Sequence, residues 1–137
     1  MAMLAEPLTP VASDPMVPRL MTLERTSAET SDTFTMEFLS SDGIAESRFL
    51  PGQFNMIGVP GIGEVPISVS GDASDPKVLV HTTREVGAVT RALKHLRPGQ
   101  QATVRGPYGT PWPVLDSEGR DLVLVAGGIG LAPLRPV

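Results

Sequence analysis

The sequence of 137 residues contains no cysteine, so the chain carries neither a disulfide bond nor a metal cluster bound by thiolates. No apolar run approaches the roughly 20 residues that cross a bilayer, which predicts no membrane insertion. Lys and Arg nowhere cluster, and the formal net charge of −4 argues against nucleic acid as a partner. Aromatic residues make up only 4% of the chain. What remains is the composition of an ordinary globular domain.

The N-terminal segment has neither the pattern of a signal peptide nor a regular period. Met1 to Glu6 carries no basic residue ahead of its apolar residues, so the cytoplasm is the expected compartment. Pro7, Pro10 and Pro15 then interrupt the chain. Residues 1–17 are therefore predicted to form a flexible arm.

Glycine and proline are abundant, with 14 residues of each, and they are scattered rather than periodic. This distribution predicts many short strands separated by turns. The clearest strand is Thr33 to Leu39, where Phe34, Met36 and Phe38 share one face. The predicted strands cover residues 19–25, 33–39, 53–59, 65–70, 77–83 and 101–105.

One helix is predicted, from Ala88 to Leu96, because Val89, Ala92 and Leu93 form an apolar stripe with Leu96. The sequence Arg-Pro-Gly that follows ends it. Six short strands around one helix predict a mainly β fold, a closed barrel over residues 18–114.

The chain changes character after the barrel. Asp121 to Ala126 is nearly continuous in apolar residues, which predicts a strand buried in a parallel sheet. A glycine turn follows, and Gly128 to Pro133 is a partial dinucleotide fingerprint with proline in place of the third glycine. On its own this turn is equally compatible with a tight structural connection. Residues 120–137 are predicted to begin a nicotinamide-binding domain.

Two further stretches are open to a functional and a structural interpretation. Val86 to Thr90 opens the helix with a glycine and a hydroxyl, which suits a phosphate, but it is also an ordinary helix entry. In Glu64 to Ser70, a proline that starts a strand is followed by a serine, which offers a hydroxyl at a fixed depth, but the stretch also fits an edge strand with surface serines. His81 and His95 do not form a ligand pair, and we expect no metal in this chain. No serine has a base partner for nucleophilic catalysis.

Five short motifs, taken in their order along the chain, indicate a protein family that none of them indicates alone. Together they resemble the ferredoxin–NADP reductase superfamily over residues 19–137. Within it, the chain looks most like the gamma subunit of cytosolic NiFe hydrogenases (sulfhydrogenases). The B subunit of anaerobic sulfite reductase is close, and the electron-transfer subunit of dihydroorotate dehydrogenase is further off. The motifs are Pro51-Gly-Gln-Phe54, Pro66-Ile-Ser68, Gly87-x-x-Thr90, Gly106-Pro-Tyr-Gly109 and Val125-Ala-Gly-Gly-Ile-Gly130-Leu-Ala-Pro133.

The resemblance implies a six-stranded antiparallel Greek-key barrel that holds FAD, followed by the first strand of a truncated Rossmann-like domain for NAD(P). It places Ser68 near flavin N5, the glycine turn near the nicotinamide and Tyr108 at the domain junction. The residues that it implies for the cofactor are Pro66, Ile67, Ser68, Val69, Thr82, Thr83, Arg84, Gly87, Val89, Thr90, Tyr108, Gly127, Gly128 and Gly130.

Two positions depart from the pattern of the superfamily. Val65 stands where an arginine often pairs with the FAD pyrophosphate, and Ile67 where an aromatic often stacks on the flavin. Losing a guanidinium removes charge-assisted bonds to phosphate. Arg84, Arg91 or Arg105 is predicted to compensate; otherwise FAD binds weakly, or FMN replaces it.

The function implied is electron transfer between NAD(P)H and the iron–sulfur centres of a hydrogenase or reductase complex. The expected partners are iron–sulfur and catalytic subunits. This chain alone is expected to bind flavin at best and to oxidise NAD(P)H poorly. Two alternatives are a docking module without flavin and a small flavin reductase with an exchangeable flavin.

Overall fold

The computed structural model describes residues 14–40 and 47–137. It contains six strands, one α-helix and two short 3₁₀ helices at Leu115–Ser117 and Gly128–Leu134. The second of these is called the C-terminal 3₁₀ helix below. The strands are β1 (Arg19–Ala28), β2 (Thr33–Ser40), β3 (Phe54–Val59), β4 (Gly63–Ser68), β5 (Val78–Arg84) and β6 (Gln101–Tyr108), with helix α1 (Ala88–Lys94) between β5 and β6.

The six strands form one antiparallel sheet in the order β4-β3-β6-β1-β2-β5. The two outer strands meet just beyond the end of β4. There Val69 pairs with His81, and the N–H of Ser70 donates to the carbonyl of Val80 at 2.9 Å. These contacts close the sheet into a barrel, which protects its edges. The predicted six-stranded antiparallel Greek-key barrel is confirmed.

The core lies inside this barrel and follows the alternation of the strands. Phe34, Met36 and Phe38 on β2 are buried, as their spacing predicts. The other strands add one or more apolar side chains each. These include Met21, Leu23, Ile57, Ile67, Leu79, Ala102 and Val104.

Helix α1 covers one end of the barrel. It ends at Lys94 rather than at Leu96, with His95 as its last capping residue. Leu93 is buried in the core, while Leu96 packs against it half-buried. Lys94 donates to Glu85 at 2.6 Å and to the carbonyl of Ser31 at 3.0 Å, so the helix is tied to the β1–β2 loop.

The prediction of a strand over residues 121–126 is wrong, because the structure forms no strand there. The segment lies outside every strand, and Val123 and Val125 are 86% and 83% exposed. A strand buried on both faces needs hydrogen-bonded neighbours on each side. Among residues 14–40 and 47–137 no strand lies beside this segment, so its backbone has no ladder to join.

The end of the predicted arm is held against β6. Residues 1–13 lie outside the described residues. The carbonyl of Pro15 accepts hydrogen bonds from the hydroxyl of Tyr108 at 2.6 Å and from the N–H of Gly106 at 2.9 Å. β6 thus offers the carbonyl of Pro15 two donors, and the flexible arm over residues 1–17 stays a prediction.

Gly106 is required by both conformation and space, and Gly106→Ala is expected to lower the free energy of unfolding by about 2 kcal/mol. Its φ is +126°, and a Cβ would lie 2.5 Å from Oδ1 of Asn55. Gly99→Ala is the matched control, since Gly99 has a φ of +89° with nothing within 4 Å. Urea denaturation of both variants should show the larger loss at Gly106; equal losses would contradict a role for the contact with Asn55.

Candidate functional site

A cleft of about 700 Å³ lies beside the barrel, between β2, β5 and the C-terminal 3₁₀ helix. Its size is within the range typical of ligand sites. One wall is apolar and comes from Ile129, Leu131 and Ala132. The opposite wall is polar and comes from the strands and the β1–β2 loop. Its side chains include Glu29, Asp32, Thr33, Thr35, Thr82 and Arg84, and Arg135 lies at the end of the 3₁₀ helix.

The alternation of β5 decides which of its predicted residues reach the cleft. Thr82 and Arg84 face outward and line it. Thr83 and His81 face inward and are buried. Of the three residues predicted on β5, only two therefore offer side chains to a ligand in the cleft.

The lining of the cleft contains two arginines and two carboxylates. Nε of Arg84 donates to Oδ2 of Asp32 at 2.5 Å. This hydrogen bond lowers the pKa of Asp32 below its ordinary value. Arg135 and Glu29 add a second pair of opposite charges to the lining. The formal charges of the cleft thus balance.

The other two arginines that could replace the missing one are also paired. Arg91 lies 3.5 Å from Glu85. Nε of Arg105 donates to Glu64 at 3.0 Å, and this bond lowers the pKa of the Glu64 carboxyl. Arg105 also donates to the hydroxyl of Tyr108 at 3.1 Å. Neither arginine lines the cleft.

A row of hydroxyls runs from Ser70, just beyond β4, to Thr82 of β5 and Thr35 of β2, the last two of which line the cleft. Oγ of Ser70 lies 2.9 Å from Oγ1 of Thr82, which lies 2.9 Å from Oγ1 of Thr35. Thr35 donates to the carboxylate of Glu29 at 2.7 Å. Since a carboxylate only accepts, the donors run from Ser70 through Thr82 and Thr35 to Glu29. The proton of the Thr82 hydroxyl is therefore used within the row.

Ser68 ends β4 and is held from inside the barrel. Its carbonyl lies 2.9 Å from Nδ1 of His81, and Nε2 of that ring lies 3.2 Å from Nδ2 of Asn55. The imidazole is fully buried, and desolvation lowers the pKa of His81 to about 4, so the ring is neutral near pH 7. The side chain of Ser68 is half-buried and does not line the cleft.

The side chains of the other β4 residues point in different directions. Ile67 and Val69, which directly follows the strand, have their side chains in the core, so neither offers a side chain to a ligand. Pro66 is exposed. Val65, in the position of the usual arginine, packs half-buried against the core.

At the predicted phosphate site at the start of α1, the Thr90 hydroxyl bonds the surrounding backbone. Oγ1 of Thr90 accepts from the N–H of Val86 at 2.9 Å and of Gly87 at 3.0 Å. It donates back to the carbonyl of Gly87 at 3.2 Å. Val89 packs against the core instead. This turn does not line the cleft.

Of the three glycines predicted to bind the cofactor in the glycine turn, one lines the cleft. Gly128 lines it, with Gly127 before the C-terminal 3₁₀ helix and Gly130 within that helix. Trp112 fixes the helix, because its Nε1 donates to the carbonyl of Pro133 at 2.9 Å. The cleft thus joins Thr82, Arg84 and Gly128 from the predicted set and leaves the other predicted residues outside.

Sequence reasoning missed several residues of this region. Thr35, Ser70 and Glu29 complete the row of hydroxyls, and no motif marks them. His81 carried a signal, since it shares the inward face of β5 with Leu79 and Thr83. A histidine among apolar residues on an inward face needs polar partners, and Asn55 and Ser68 supply them.

Two groups of known proteins are similar in sequence to this chain. The gamma subunit of sulfhydrogenase 1 from Pyrococcus furiosus is 41% identical over 109 residues, which is 80% of this chain and 37% of that subunit. The chain is a homologue of sulfhydrogenase gamma subunits. A probable electron-transfer subunit of dihydroorotate dehydrogenase B from Methanopyrus kandleri is 43% identical over 90 residues, covering 66% of this chain and 32% of the relative. No family model matches the sequence.

The solved structures agree with this homology. The Amycolatopsis cytochrome P450 reductase aligns with the sulfhydrogenase gamma homologue at a TM-score of 0.73 and 29% identity, over 87% of this chain and 38% of that one. The resemblance drawn from the five motifs is thereby confirmed. The chain spans about a third of the length of the curated relatives it matches.

Two further observations concern the whole described part of this homologue. No helix in residues 14–40 and 47–137 has the length and apolar character to cross a membrane. In the same residues, no three His, Asp or Glu side chains come together as metal ligands.

Proposed function

We propose that this chain is the flavin-binding electron-transfer domain of an NAD(P)H-linked oxidoreductase. The observation that carries the proposal is the cleft, because it brings Thr82 and Arg84 of β5 against Gly128 of the glycine turn. These residues are distant in the sequence, and the resemblance assigns all three to the cofactor. The homology to sulfhydrogenase gamma subunits supports the same function.

The lining of the cleft fits the ring system of a flavin better than it fits a diphosphate. Ile129, Leu131 and Ala132 offer an apolar wall to a flat heterocycle. Hydroxyls and guanidinium groups on the opposite side can bond its polar edge. Asp32 and Glu29, however, oppose the phosphates, and Arg84 is already bonded to Asp32. We therefore propose a flavin that is held mainly through its ring.

Each part of the chain would contribute to holding and orienting this cofactor. A bound flavin would supply hydride acceptance and one-electron transfer. Arg84 would hold the anionic tail once it leaves Asp32, and Thr82 would accept a hydrogen bond. Ser68 does not line the cleft, but its carbonyl bonds His81, the chain neighbour of the lining residue Thr82. Its hydroxyl and the backbone of residues 66–69 would bond the part of the ring that extends beyond the cleft, as the resemblance implies. No side chain of this chain is required as a general acid or base.

The remaining expectations are part of the same proposal. FAD is the expected flavin, with FMN second, and NAD(P)H would bind a domain of which residues 120–137 are the start. Iron–sulfur and catalytic subunits of a hydrogenase or reductase complex are the expected partners. The pyrophosphate seat at Gly87, Val89 and Thr90 and the junction role of Tyr108 also remain predictions, as does the cytoplasmic location.

A titration of the purified chain with FAD tests the proposal, with Arg84→Gln as the first variant. We expect the wild type to bind FAD with a change in its visible absorption. Arg84→Gln should weaken binding by about tenfold, since a charge-assisted bond contributes about 1.5–3 kcal/mol and part of it is lost to Asp32. Arg25→Gln is the matched control, because Arg25 forms a similar exposed ion pair with Glu37 outside the cleft.

The outcomes of this titration separate the three functions. Binding that Arg84→Gln weakens and Arg25→Gln does not would support the flavin domain. FAD that binds in titration but is lost on gel filtration would favour the exchangeable flavin of a small reductase. A chain that FAD and FMN both fail to colour would overturn the proposal in favour of a docking module.

A further inference from the structure

The carbonyl of Ser68 lies where the ladder of β4 stops. Ser68 pairs with Phe54 as the last residue of the β3–β4 ladder, and the next pairing, Val69 with His81, is an isolated bridge. A buried backbone carbonyl needs a donor. Nδ1 of His81 provides it at 2.9 Å from the inward face of β5.

The contacts of the ring define its tautomer. A carbonyl oxygen only accepts, so Nδ1 of His81 carries the proton. Nε2 then accepts from Nδ2 of Asn55 on β3 at 3.2 Å. The two side chains thus link β3, β5 and the end of β4 with one defined direction of donors. His81 and Asn55 are both almost completely buried.

This arrangement costs more than an apolar core would. Burial of an imidazole and an amide removes their hydration, and Oδ1 of Asn55 has no partner within the described residues. Leu79 and Ile57 show that aliphatic side chains fill the neighbouring inward positions. Packing alone therefore gives no reason for a histidine here, whereas the orientation of the Ser68 peptide does.

The carbonyl of Ser68 is hydrogen-bonded, whereas its hydroxyl is not. The inward alternation of Ile67 and Val69 turns its side chain outward, where it is half-buried. Its hydroxyl has no hydrogen-bond partner among residues 14–40 and 47–137. A hydroxyl on a fixed peptide, outside the barrel and without a partner, is available to a ligand.

We propose that His81 and Asn55 are positioning residues that hold the Ser68 peptide and so present its hydroxyl to a flavin bound outside the barrel. This inference rests on the proposed function. It assigns to two core side chains an effect on the flavin that neither would exert by contact.

A matched pair of substitutions separates the two bonds of the ring. The amide nitrogen of asparagine is attached to Cγ, as Nδ1 is, so His81→Asn keeps the donor to Ser68 and loses the bond to Asn55. The amide oxygen of glutamine is attached to Cδ, one bond further out, and can take the place of Nε2 as the acceptor for Nδ2 of Asn55, so His81→Gln keeps this bond and loses the donor to Ser68. We expect His81→Gln to weaken FAD binding about three- to tenfold, the effect of one hydrogen bond, and His81→Asn to retain most of the affinity.

A double-mutant cycle with Ser68→Ala distinguishes positioning from general damage. If His81 acts through the Ser68 hydroxyl, His81→Gln should reproduce the FAD absorption spectrum of Ser68→Ala. The double variant should then lose no more affinity than Ser68→Ala alone. Thermal unfolding of each variant provides the independent measure of stability. Asn55→Ala is the second route should His81→Gln not fold, with the same coupling to Ser68→Ala expected.

Three results would overturn the inference. Equal loss in His81→Asn and His81→Gln would show that the ring acts only by filling space. Additive losses in the cycle would show that His81 and Ser68 act independently. A wild-type chain that binds no flavin would remove the proposed function and this inference together, whereas the first two results leave flavin binding intact.

Discussion

Leu93→Ala is expected to lower the free energy of unfolding by about 3–4 kcal/mol, a typical value for a fully buried leucine. Leu93 is only 1% exposed and belongs to the barrel core. Thr90 and Leu93 are the buried residues of α1, and Leu93 is the apolar one. Truncation would leave a cavity between the helix and the barrel end. Urea denaturation should show a lower midpoint with an unchanged slope.

Leu96→Ala is the control for this variant because Leu96 continues the same apolar stripe but is half-buried. We expect about half the loss at Leu96, since less apolar surface returns to water. Losses of equal size at the two positions would mean that α1 is not anchored through Leu93. The comparison therefore tests the attachment of the helix and not merely the sum of core contacts.

The barrel could be predicted because strand alternation is a local property. The spacing of Phe34, Met36 and Phe38 fixes the inward face of β2 without knowledge of its neighbours. The limits of β4 were harder, because Pro66 suggests a strand that starts near residue 65. In the structure the hairpin with β3 begins at Gly63, while Val69 and Ser70 turn to β5.

For residues 121–126, in contrast to the barrel strands, the sequence pattern did not predict the structure. Its composition indicates a buried parallel strand, yet whether a strand forms depends on neighbours that its own residues do not specify. The adjoining glycine turn does take a defined conformation, because Trp112 holds the carbonyl of Pro133. A single long-range hydrogen bond thus orders the end of the described chain where periodicity alone gave no information.

Some features of the candidate site could likewise be predicted from the sequence, and others could not. Thr82 and Arg84 could be assigned from the family resemblance, and the structure brings both to the cleft with Gly128. The pairing of each candidate arginine with a carboxylate could not be assigned. Arg84 meets Asp32 across the β2–β5 ladder, and this contact depends on register rather than on spacing in the sequence. The electrostatic character of the cleft therefore required the structure.

Stability is expected to fall by about 3 kcal/mol as the pH drops from about 6.5 to about 4, and His81 is the cause. Burial lowers the pKa of His81 from its ordinary value of 6.5 to about 4. Between these values the unfolded chain binds a proton that the folded chain does not, so the free energy of unfolding rises with pH. The contribution is complete above pH 6.5 and is lost as the pH falls through about 4.

Substitution of the His81 ring identifies this contribution to the pH dependence. Hydrogen bonds lower the pKa of Asp32 and Glu64 from ordinary values of 3.8 and 4.5, so their effects belong to the acid side of the same window. His81→Gln has no titrating group at this position, and its free energy of unfolding should be nearly flat between pH 5 and 6.5. Denaturant midpoints measured between pH 5 and 6.5 test this difference in slope. An equal slope in wild type and His81→Gln would mean that the ring is charged or hydrated in the folded chain, and the donor to the Ser68 carbonyl would then no longer be a neutral imidazole of fixed tautomer.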